Sequence, residues 1–452
     1  MSAYLRFSYH QKILLGSLAL SSYLGYRVYS KTQNELKKVQ VFKNFNFAKY
    51  KQDQPLFYNL KSRDQHIQEM LNSHYDCLIV GGGCNGSGVL LEGSNRGLKC
   101  LMVEENDFSS GASSKSTKLI HGGIRYLAQV FEFSLEGHRW EKVKLLIEAL
   151  HERCYMVDNA YYMNKVLPLV IPCRNIIFAM YNYLGCVLYH AIYKMQPTEN
   201  ASTVFPFPKW MGNDELKANF PHLDFKFKYG IVYYDAQMND TRMNMDTILT
   251  STVDKYQKGF TGANVINYMS FENFIKDEEG KIVGADLYDK ISDKHYKVKA
   301  SCVVNCTGVF ADKIRKLDDP TVPRRVLSVQ GTHAIFPIKF TSKKMALLIP
   351  KTVDDRVLFI IPWLNSTLVG TTDIKIDQPV IEPQVKFGEL EFFYRELAKI
   401  YPDLSTEYIV NSVKSKWAGL RPLVFEEIKE NEKIDSKKAS RKHVIEKTKS
   451  GM

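Results

Sequence analysis

The ten-residue stretch CLIVGGGCNG, Cys77–Gly86, decides the fold of this chain. Four apolar residues lead directly into a Gly-x-Gly-x-x-Gly pattern, which predicts a buried parallel strand, a tight turn and the start of a helix. The first glycine permits the turn, the second lets backbone approach a pyrophosphate, and the third lets helix and strand pack closely. N–H groups at the helix start would hold the phosphates. The predicted dinucleotide contacts are Gly81, Gly82, Gly83, Cys84, Asn85 and Gly86.

A second apolar run, Cys100–Val103, follows after a segment long enough for one helix. Strand, helix and strand together predict a β-α-β unit. Glu104 ends the second strand, where a carboxylate can accept hydrogen bonds from the hydroxyls of an adenosine ribose. The alternative is a glycine-rich turn beside a surface glutamate. The combined pattern favours a dinucleotide site, but it does not separate FAD from NAD, because both cofactors use it.

The hydroxyl-rich stretch FSSGASSKSTKLIHGGIRYL, 108–127, favours FAD. Small hydroxylated residues and glycines let the backbone lie close to a flat ring and bond its polar edge. A solvated serine-rich linker is the alternative, but such linkers do not usually run into His-Gly-Gly-Ile-Arg-Tyr-Leu. The stretch predicts further cofactor contacts at Ser114, Ser116, Thr117, Lys118, Leu119 and His121. His121 is interpreted as a structural part of this flavin-binding stretch rather than as a catalytic base.

The rest of the chain alternates helical and strand patterns. Lys118–His151 is predicted to be rich in helix and to be ended by Pro168 and Pro172, and Gly388–Tyr401 is predicted to be helical. Short β-type runs between 228 and 375 predict one mixed sheet over the flavin domain. These runs are Ile231–Tyr234, Ile282–Leu287, Cys302–Val304, His333–Phe336, Val357–Ile361 and Thr367–Val369.

Composition excludes disorder and disfavours nucleic-acid binding. Of the 452 residues, 45% are hydrophobic and 24% charged, which is an ordinary globular balance. The net charge is +12, but residues 1–50 alone supply +7 of it, from eight Lys/Arg and one acid. The remainder carries no domain-wide basic field, so no nucleic-acid partner is expected. The eight cysteines form no CxxC pair or zinc spacing, so we expect reduced thiols and no metal site.

The N-terminal residues have the composition of a targeting segment. Residues 1–34 contain no Asp or Glu, and 13–26 form an uncharged run. Fourteen residues fall short of the ~20 that a helix needs to cross a bilayer. A mitochondrial presequence is favoured over a short membrane anchor and over a secretory signal. The scattered cysteines suggest no disulfide framework, which argues against the secretory signal.

The hydroxyl-rich stretch, followed by EALHER at 148–153, resembles the signature of FAD-dependent glycerol-3-phosphate dehydrogenases. An ordered series of similar motifs covers about residues 75–446. They are YYDAQMNDTRMN (Tyr233–Asn244), VVNCTG (Val303–Gly308), GTH (Gly331–His333), GTTD (Gly370–Asp373), WAGLRPL (Trp417–Leu423) and SRKHVI (Ser440–Ile445).

The resemblance implies an α/β fold in which a Rossmann-like FAD-binding domain is interleaved with an antiparallel-sheet cap domain that binds substrate. Gly308 is similar to a second FAD contact of the family. The expected segments are a targeting or membrane-proximal segment (1–60), flavin-binding parts (70–127 and 230–312), substrate-cap parts (128–229 and 313–424) and a shortened C-terminal segment (425–452).

The implied reaction moves hydride from C2 of glycerol 3-phosphate to the flavin, giving dihydroxyacetone phosphate. A base with a near-neutral pKa should take the hydroxyl proton, and His333 matches the family's histidine, although a histidine on a strand is more often structural. Arginine forks suit a phosphate dianion. The expected catalytic residues are His333, Arg125 and Arg421, and the substrate contacts are Arg125, Tyr126, His333, Arg421 and Arg441.

The same resemblance implies ubiquinone as electron acceptor, as in the glycerol-3-phosphate shuttle, at the outer face of the mitochondrial inner membrane. A homodimer is left open. No segment of the sequence marks a quinone site, and no EF-hand pattern is present. Another oxidase or amine dehydrogenase of this fold is the alternative enzyme, which the arginines and the STKLIHGG match disfavour.

The sequence departs from the family after Ile445. The family continues into a Gly-Gly-Lys segment that closes over flavin and phosphate, whereas this sequence ends seven residues later with EKTKSGM. The sequence therefore predicts weakened flavin binding and little dehydrogenase activity, restored when a family-type segment is appended. A homologue that kept the fold but lost turnover is the third hypothesis.

Overall fold

A computed structural model describes residues 61–124, 139–195, 204–253, 259–354, 356–428 and 444–452. The predicted targeting segment, 1–60, lies outside the described residues. The helices are α1 (Arg63–Leu71), α2 (Cys84–Asn95), α3 (Arg139–Asn159), α4 (Ile176–Lys194), α5 (Asn213–Asn219), α6 (Asp240–Thr252), α7 (Ala311–Asp318), α8 (Phe387–Ile400) and α9 (Thr406–Asn411).

The described strands form three sheets. They are β1 (His74–Tyr75), β2 (Cys77–Val80), β3 (Cys100–Val103), β4 (Leu119–Ile120), β5 (Lys165–Cys173), β6 (Lys209–Met211), β7 (Tyr229–Gln237), β8 (Asn264–Ile266), β9 (Met269–Lys276), β10 (Ile282–Asp289), β11 (Lys294–Ala300), β12 (Val303–Asn305), β13 (Val326–Pro337), β14 (Ala346–Ile349), β15 (Leu358–Trp363), β16 (Ser366–Gly370), β17 (Ile374–Ile376) and β18 (Ser415–Val424). The predicted β-α-β unit is confirmed as β2, α2 and β3.

The first sheet is parallel throughout, in the order β12-β2-β3-β8. Every residue of β2 and β3 is buried, as expected for strands covered on both faces. Leu78 and Leu101 are neighbours across the two strands and are fully buried, so truncating either to alanine would cost about 2–5 kcal/mol. The carboxyl ends of β2 and β12 lie side by side, which brings Gly81 next to Cys306.

The second sheet, β1-β11-β10-β9, joins a parallel pair to an antiparallel meander. The third has ten strands and runs β17-β13-β16-β15-β14-β5-β7-β4, with β18 paired to β13 and β6 paired to β7. Among the strand pairs that the structure describes in this sheet, only β14 and β5 are parallel. The predicted α/β class with parallel and antiparallel sheets is confirmed.

Two local predictions are wrong. The β-type runs between 228 and 375 are strands, but they enter three sheets instead of one, because long-range pairing and not local pattern assigns a strand to its sheet. Pro168 and Pro172 do not end a helix: α3 ends at Asn159, and both prolines lie inside β5, paired with β7. On its other side, β5 pairs with β14 only at Leu169 and Val170, which lie between the two prolines. The N–H groups that the prolines lack are therefore not needed for the pairing with β14.

The segment boundaries predicted from sequence stay a prediction. Strand β7 begins at Tyr229, beside the predicted boundary at 230, and pairs with β5 in the ten-stranded sheet rather than with the parallel one. Of the motif SRKHVI, only Val444 and Ile445 are described, and neither is in a strand.

Helix α4, which the sequence reading did not identify, lies against β5 and β7. Its buried residues, Ala179, Cys186, Tyr189 and Tyr193, pack on the core of the ten-stranded sheet. Among the described residues it is one helix that is long and apolar enough to cross a bilayer, judged by length and composition only. A helix packed along a sheet cannot cross a membrane while that sheet stays in water, so we interpret α4 as a surface helix.

Candidate active site

The glycine turn forms a tight cradle at the carboxyl edge of the parallel sheet. Gly81 has a φ of +110°, and a Cβ there would lie 2.6 Å from the carbonyl oxygen of Cys306. A Cβ on Gly86 would overlap the carbonyl oxygen of Gly81, so only glycine lets α2 approach the turn this closely. Gly83 caps α2 without a side chain of its own, and the Ser113 hydroxyl accepts from the first N–H of the helix, that of Cys84, at 2.9 Å. The start of a helix favours an anion such as a pyrophosphate.

Glu104 lies beside this cradle. Its carboxylate accepts hydrogen bonds from the backbone N–H groups of Gly82, at 2.7 Å, and Asn106, at 2.9 Å. Burial raises the pKa of this carboxyl, and the two N–H donors oppose the shift. A Cβ on Gly82 would meet Phe108 at 2.6 Å, so the turn, the acid and the hydroxyl-rich stretch are packed together.

Asn244 is a site residue that the sequence reading did not single out. This buried side chain on α6 donates to the carbonyl of Gly82, at 2.9 Å, and to the hydroxyl of Ser109, at 2.6 Å. Its own oxygen accepts from Ser87 on α2, at 2.6 Å. Asn244 thus ties the glycine turn to the hydroxyl-rich stretch. The only signal was its place in the motif YYDAQMNDTRMN.

Asp240, at the start of α6, orders the hydroxyl-rich stretch. Its carboxylate accepts from the Ser116 hydroxyl at 2.7 Å and from the ammonium of Lys118 at 2.6 Å. Lys118 is 8% exposed, and its ammonium also donates to the carbonyl of Ser114. The ion pair between Lys118 and α6 restricts the conformation of the stretch. These side chains are therefore bonded within the protein.

Thr117 connects this stretch to His333 on β13. Its hydroxyl lies 2.9 Å from Nε2 of His333, and the imidazole stacks on Trp417 of β18. His333 is 2% exposed, and its Nδ1 has no hydrogen-bond partner within the described part of the chain. A buried polar atom without a partner is costly, so the unpaired Nδ1 marks a polar group that the described residues alone do not satisfy.

The charge state of His333 differs from the sequence expectation. Burial, together with the positive charges of Arg421 and Lys118, lowers the pKa of His333 to about 3, instead of leaving it near neutral. The imidazole is therefore neutral at physiological pH.

Arg421 on β18 is held by the turn after β16. Its guanidinium donates to the Thr371 hydroxyl at 2.6 Å and to the Thr372 carbonyl at 3.1 Å, and it lies 3.2 Å from a carboxylate oxygen of Asp373. A Cβ on Gly331 would overlap this guanidinium, so the arginine lies directly on the backbone of β13. His333 and Arg421 lie on the neighbouring strands β13 and β18, close enough for the charge of Arg421 to lower the pKa of His333.

His121 follows β4 and lies 3.2 Å from the carboxylate of Asp235, which is wholly buried. The same carboxylate accepts from the backbone of Gly122, at 3.1 Å, and from Arg153, at 2.6 Å. Burial opposes ionisation of Asp235, but His121 and Arg153 hold its pKa below the usual value. His121 is thus part of a structural network behind the His-Gly-Gly loop.

Other predicted site residues are placed as follows. Leu119, in β4, pairs with Gln237 of β7. Gly308 has a φ of +59° at a 3₁₀ turn after β12. Cys84 and Asn85 are exposed at the start of α2. Arg125, Tyr126 and Arg441 lie outside the described residues.

The residues present fit a dinucleotide. The turn closes on glycines wherever a Cβ would block approach, helix α2 begins there, and Glu104 stands at the end of β3. The described residues contain no group of three or more His, Cys, Asp or Glu placed to hold a metal ion. Fold and site together define a dinucleotide-binding α/β protein.

Comparison with known proteins narrows this class. Residues 76–435 match the model of the FAD dependent oxidoreductase family, so the chain belongs to that family. The match confirms the predicted family resemblance and, at the level of the family, the prediction of FAD over NAD.

Individual relatives agree with this assignment. The chain is 35% identical over 402 residues to a Dictyostelium discoideum protein named "Probable glycerol-3-phosphate dehydrogenase, mitochondrial", covering 87% of this chain and 60% of that protein. It is 34% identical to the mitochondrial glycerol-3-phosphate dehydrogenase of Bos taurus, covering 97% of this chain and 58% of the relative. The chain therefore spans about three fifths of the length of these relatives.

A solved structure is also similar. The glycerol-3-phosphate dehydrogenase of Bacillus halodurans complexed with FAD has a TM-score of 0.60 and 25% identity to this chain. The similarity covers 80% of this chain and 60% of that one.

Proposed function

We propose that this chain binds FAD and oxidises glycerol 3-phosphate to dihydroxyacetone phosphate. The observation that carries the proposal is a pair of residues: a buried, neutral His333, bonded to Thr117 of the hydroxyl-rich stretch, and Arg421 on the neighbouring strand. Relatives named glycerol-3-phosphate dehydrogenase support the substrate class. Bound FAD would accept the hydride from C2 of the alcohol.

Two side chains divide the work on the substrate. Arg421 binds the phosphate, because a guanidinium fork matches a dianion and this one is held in place by Thr371 and Thr372. His333 accepts the C2 hydroxyl proton on its imidazole, which is neutral before substrate binds. Arg125, Tyr126 and Arg441 are proposed to complete the phosphate site.

The low pKa of His333 is part of this proposal. A base with a pKa of about 3 is weak, and one cause of the low value is the positive charge of Arg421. A phosphate dianion bound to Arg421 would offset that charge and raise the basicity of His333 in the complex. Substrate binding would thereby bring the base closer to the neutral pKa that proton transfer favours.

Anaerobic addition of glycerol 3-phosphate to the purified yellow protein tests this function. We expect the flavin absorbance to bleach and dihydroxyacetone phosphate to form in equal amount, whereas glycerol without phosphate should do neither. A folded, colourless protein that binds NAD would refute the flavin assignment. Turnover with oxygen alone would favour the oxidase alternative, and bound flavin that glycerol 3-phosphate does not reduce would favour the non-catalytic one.

We further propose a membrane surface as partner and a quinone as acceptor, at the outer face of the mitochondrial inner membrane. Helix α4 supports the membrane part. Its outward face contains Ile177, Met180, Leu184 and Leu188, all exposed, and residues 175–193 include no Asp, Glu, Lys or Arg. Such a contiguous apolar face on a soluble protein marks an interaction site.

Basic residues flank this apolar face, as an anionic bilayer would require. Arg174 and Lys194 lie at the two ends of α4 and are exposed. The backbone of Lys228 donates to Cys173, which places exposed Lys226 and Phe225 beside the start of the helix. An apolar face with basic ends can lie in the headgroup region of a membrane. The quinone and a homodimer rest on the resemblance alone and stay predictions.

A further inference from the structure

Glu389 on α8 is a buried carboxylate that neither the sequence reading nor the proposed chemistry includes. It is 2% exposed and makes four hydrogen bonds. One oxygen accepts from the hydroxyls of Thr332, at 2.8 Å, and Thr372, at 2.6 Å. The other accepts from the Gln330 side chain, at 2.7 Å, and from the backbone N–H of Lys386, at 3.0 Å. A buried charge with this many donors has one geometry only.

The network lies on the face of β13 opposite the site. Side chains alternate along a strand, so Gln330 and Thr332 point toward α8, whereas Gly331 and His333 point toward Arg421. The turn after β16 joins the two faces. Its Thr372 bonds Glu389 on one side, and its Thr371 bonds Arg421 on the other.

Thr372 is the connecting residue. Its hydroxyl donates to Glu389 and accepts from the backbone N–H of Thr332, at 2.9 Å. Its carbonyl accepts from Arg421. Two atoms of one residue therefore fix the guanidinium relative to β13, the strand that carries His333. Loss of the bond between Glu389 and Thr372 would let the turn after β16 move, and the Arg421 guanidinium that it holds would move with it.

We propose that Glu389 is a positioning residue that sets Arg421 in register with His333 through Thr372. The inference rests on the proposed role of Arg421 as phosphate ligand. Glu389 itself does not contact substrate. Its effect is to preorganise the guanidinium, so its loss should weaken binding of the phosphate group more than it slows the chemical step.

The test measures binding of inorganic phosphate to the purified, FAD-containing full chain, from the rise in thermal-unfolding midpoint with phosphate concentration. Glu389→Gln keeps the shape of the side chain but removes its charge. We expect phosphate to bind about tenfold more weakly, with a similar rise in KM for glycerol 3-phosphate and a much smaller change in kcat. Flavin absorbance should not change.

Glu396→Gln is the matched control. Glu396 is a second buried carboxylate on α8, seven residues further along, and bonds Lys399 and the Val353 backbone instead of the turn. It should leave phosphate binding unchanged. Thr372→Val should reproduce the effect of Glu389→Gln, and it decides the question if Glu389→Gln does not fold. Thr332→Val removes the other hydroxyl that donates to the same oxygen of Glu389. It should weaken phosphate binding less than Thr372→Val does.

Arg421→Ala separates the two possible failures. If Arg421→Ala loses phosphate binding while Glu389→Gln and Thr372→Val keep it, the positioning role is refuted and the proposed function stands. If Arg421→Ala binds phosphate as the wild type does, the phosphate role of Arg421 is wrong and this inference falls with it. Equal weakening by Glu396→Gln would also overturn the inference, since the effect would then reflect α8 in general.

Discussion

Replacing His333 by glutamine separates its proposed chemistry from its burial. The variant removes the group that titrates and keeps a polar side chain near Thr117. In the folded chain the pKa of His333 is lowered to about 3, against 6.5 for an ordinary histidine. The unfolded chain therefore binds the proton more readily, and acid favours unfolding. His333 thus makes the free energy of unfolding rise with pH between these two values, and its contribution is lost as pH falls below about 6.5.

The size of the effect follows from the two pKa values. One pH unit inside this window is worth about 1.4 kcal/mol, and integration between pH 5 and pH 7 gives about 2 kcal/mol. The free energy of unfolding of the wild type should therefore rise by about 2 kcal/mol more than that of His333→Gln over this range. Urea unfolding at several pH values, followed by circular dichroism, measures both.

Thr117→Val is the control, because it removes the hydrogen-bond partner of the imidazole but keeps the group that titrates. It should retain the pH dependence of the wild type. Parallel curves for wild type and His333→Gln would refute the burial argument. Separately, turnover of glycerol 3-phosphate by His333→Gln should fall about 10²–10⁴-fold with FAD still bound, and normal turnover would show that His333 is structural.

Further predictions concern the cradle, the phosphate and the membrane face. Gly86→Ala should abolish flavin retention, because the new Cβ would overlap the Gly81 carbonyl. Gly88→Ala, on the same helix, should retain FAD, because a Cβ there would have no atom within 4 Å. Equal flavin content in the two variants would contradict this prediction. Arg125→Ala should raise KM for glycerol 3-phosphate far more than it lowers flavin content, and equal loss of both would mean that Arg125 shapes the fold. Leu184→Lys should reduce co-sedimentation with anionic phospholipid vesicles about tenfold or more, and undiminished binding would exclude α4 as the membrane face.

The elements that could be predicted from the sequence are those that depend on neighbouring residues. The run Cys77–Val80 is a strand because four apolar residues precede glycines, and Gly86 is required because helix and turn meet there. Motif resemblance then pointed to His333 and Arg421, which the structure brings together. Each of these signals lies within a few neighbouring residues, so one sequence was enough to recognise it.

The tertiary structure decided what depends on partners distant in the chain. Pro168 and Pro172 enter β5 because the strand can tolerate missing donors where β14 does not pair. Asn244 and Glu389 resemble ordinary helix residues until residues distant in the chain meet them. Gly82 lies 162 positions from Asn244, and Gln330 lies 59 positions from Glu389. The same holds for the neutral charge state of His333, since its pKa is lowered by complete burial and by Arg421 and Lys118. Burial and charge proximity are properties of packed space, and no local pattern encodes them.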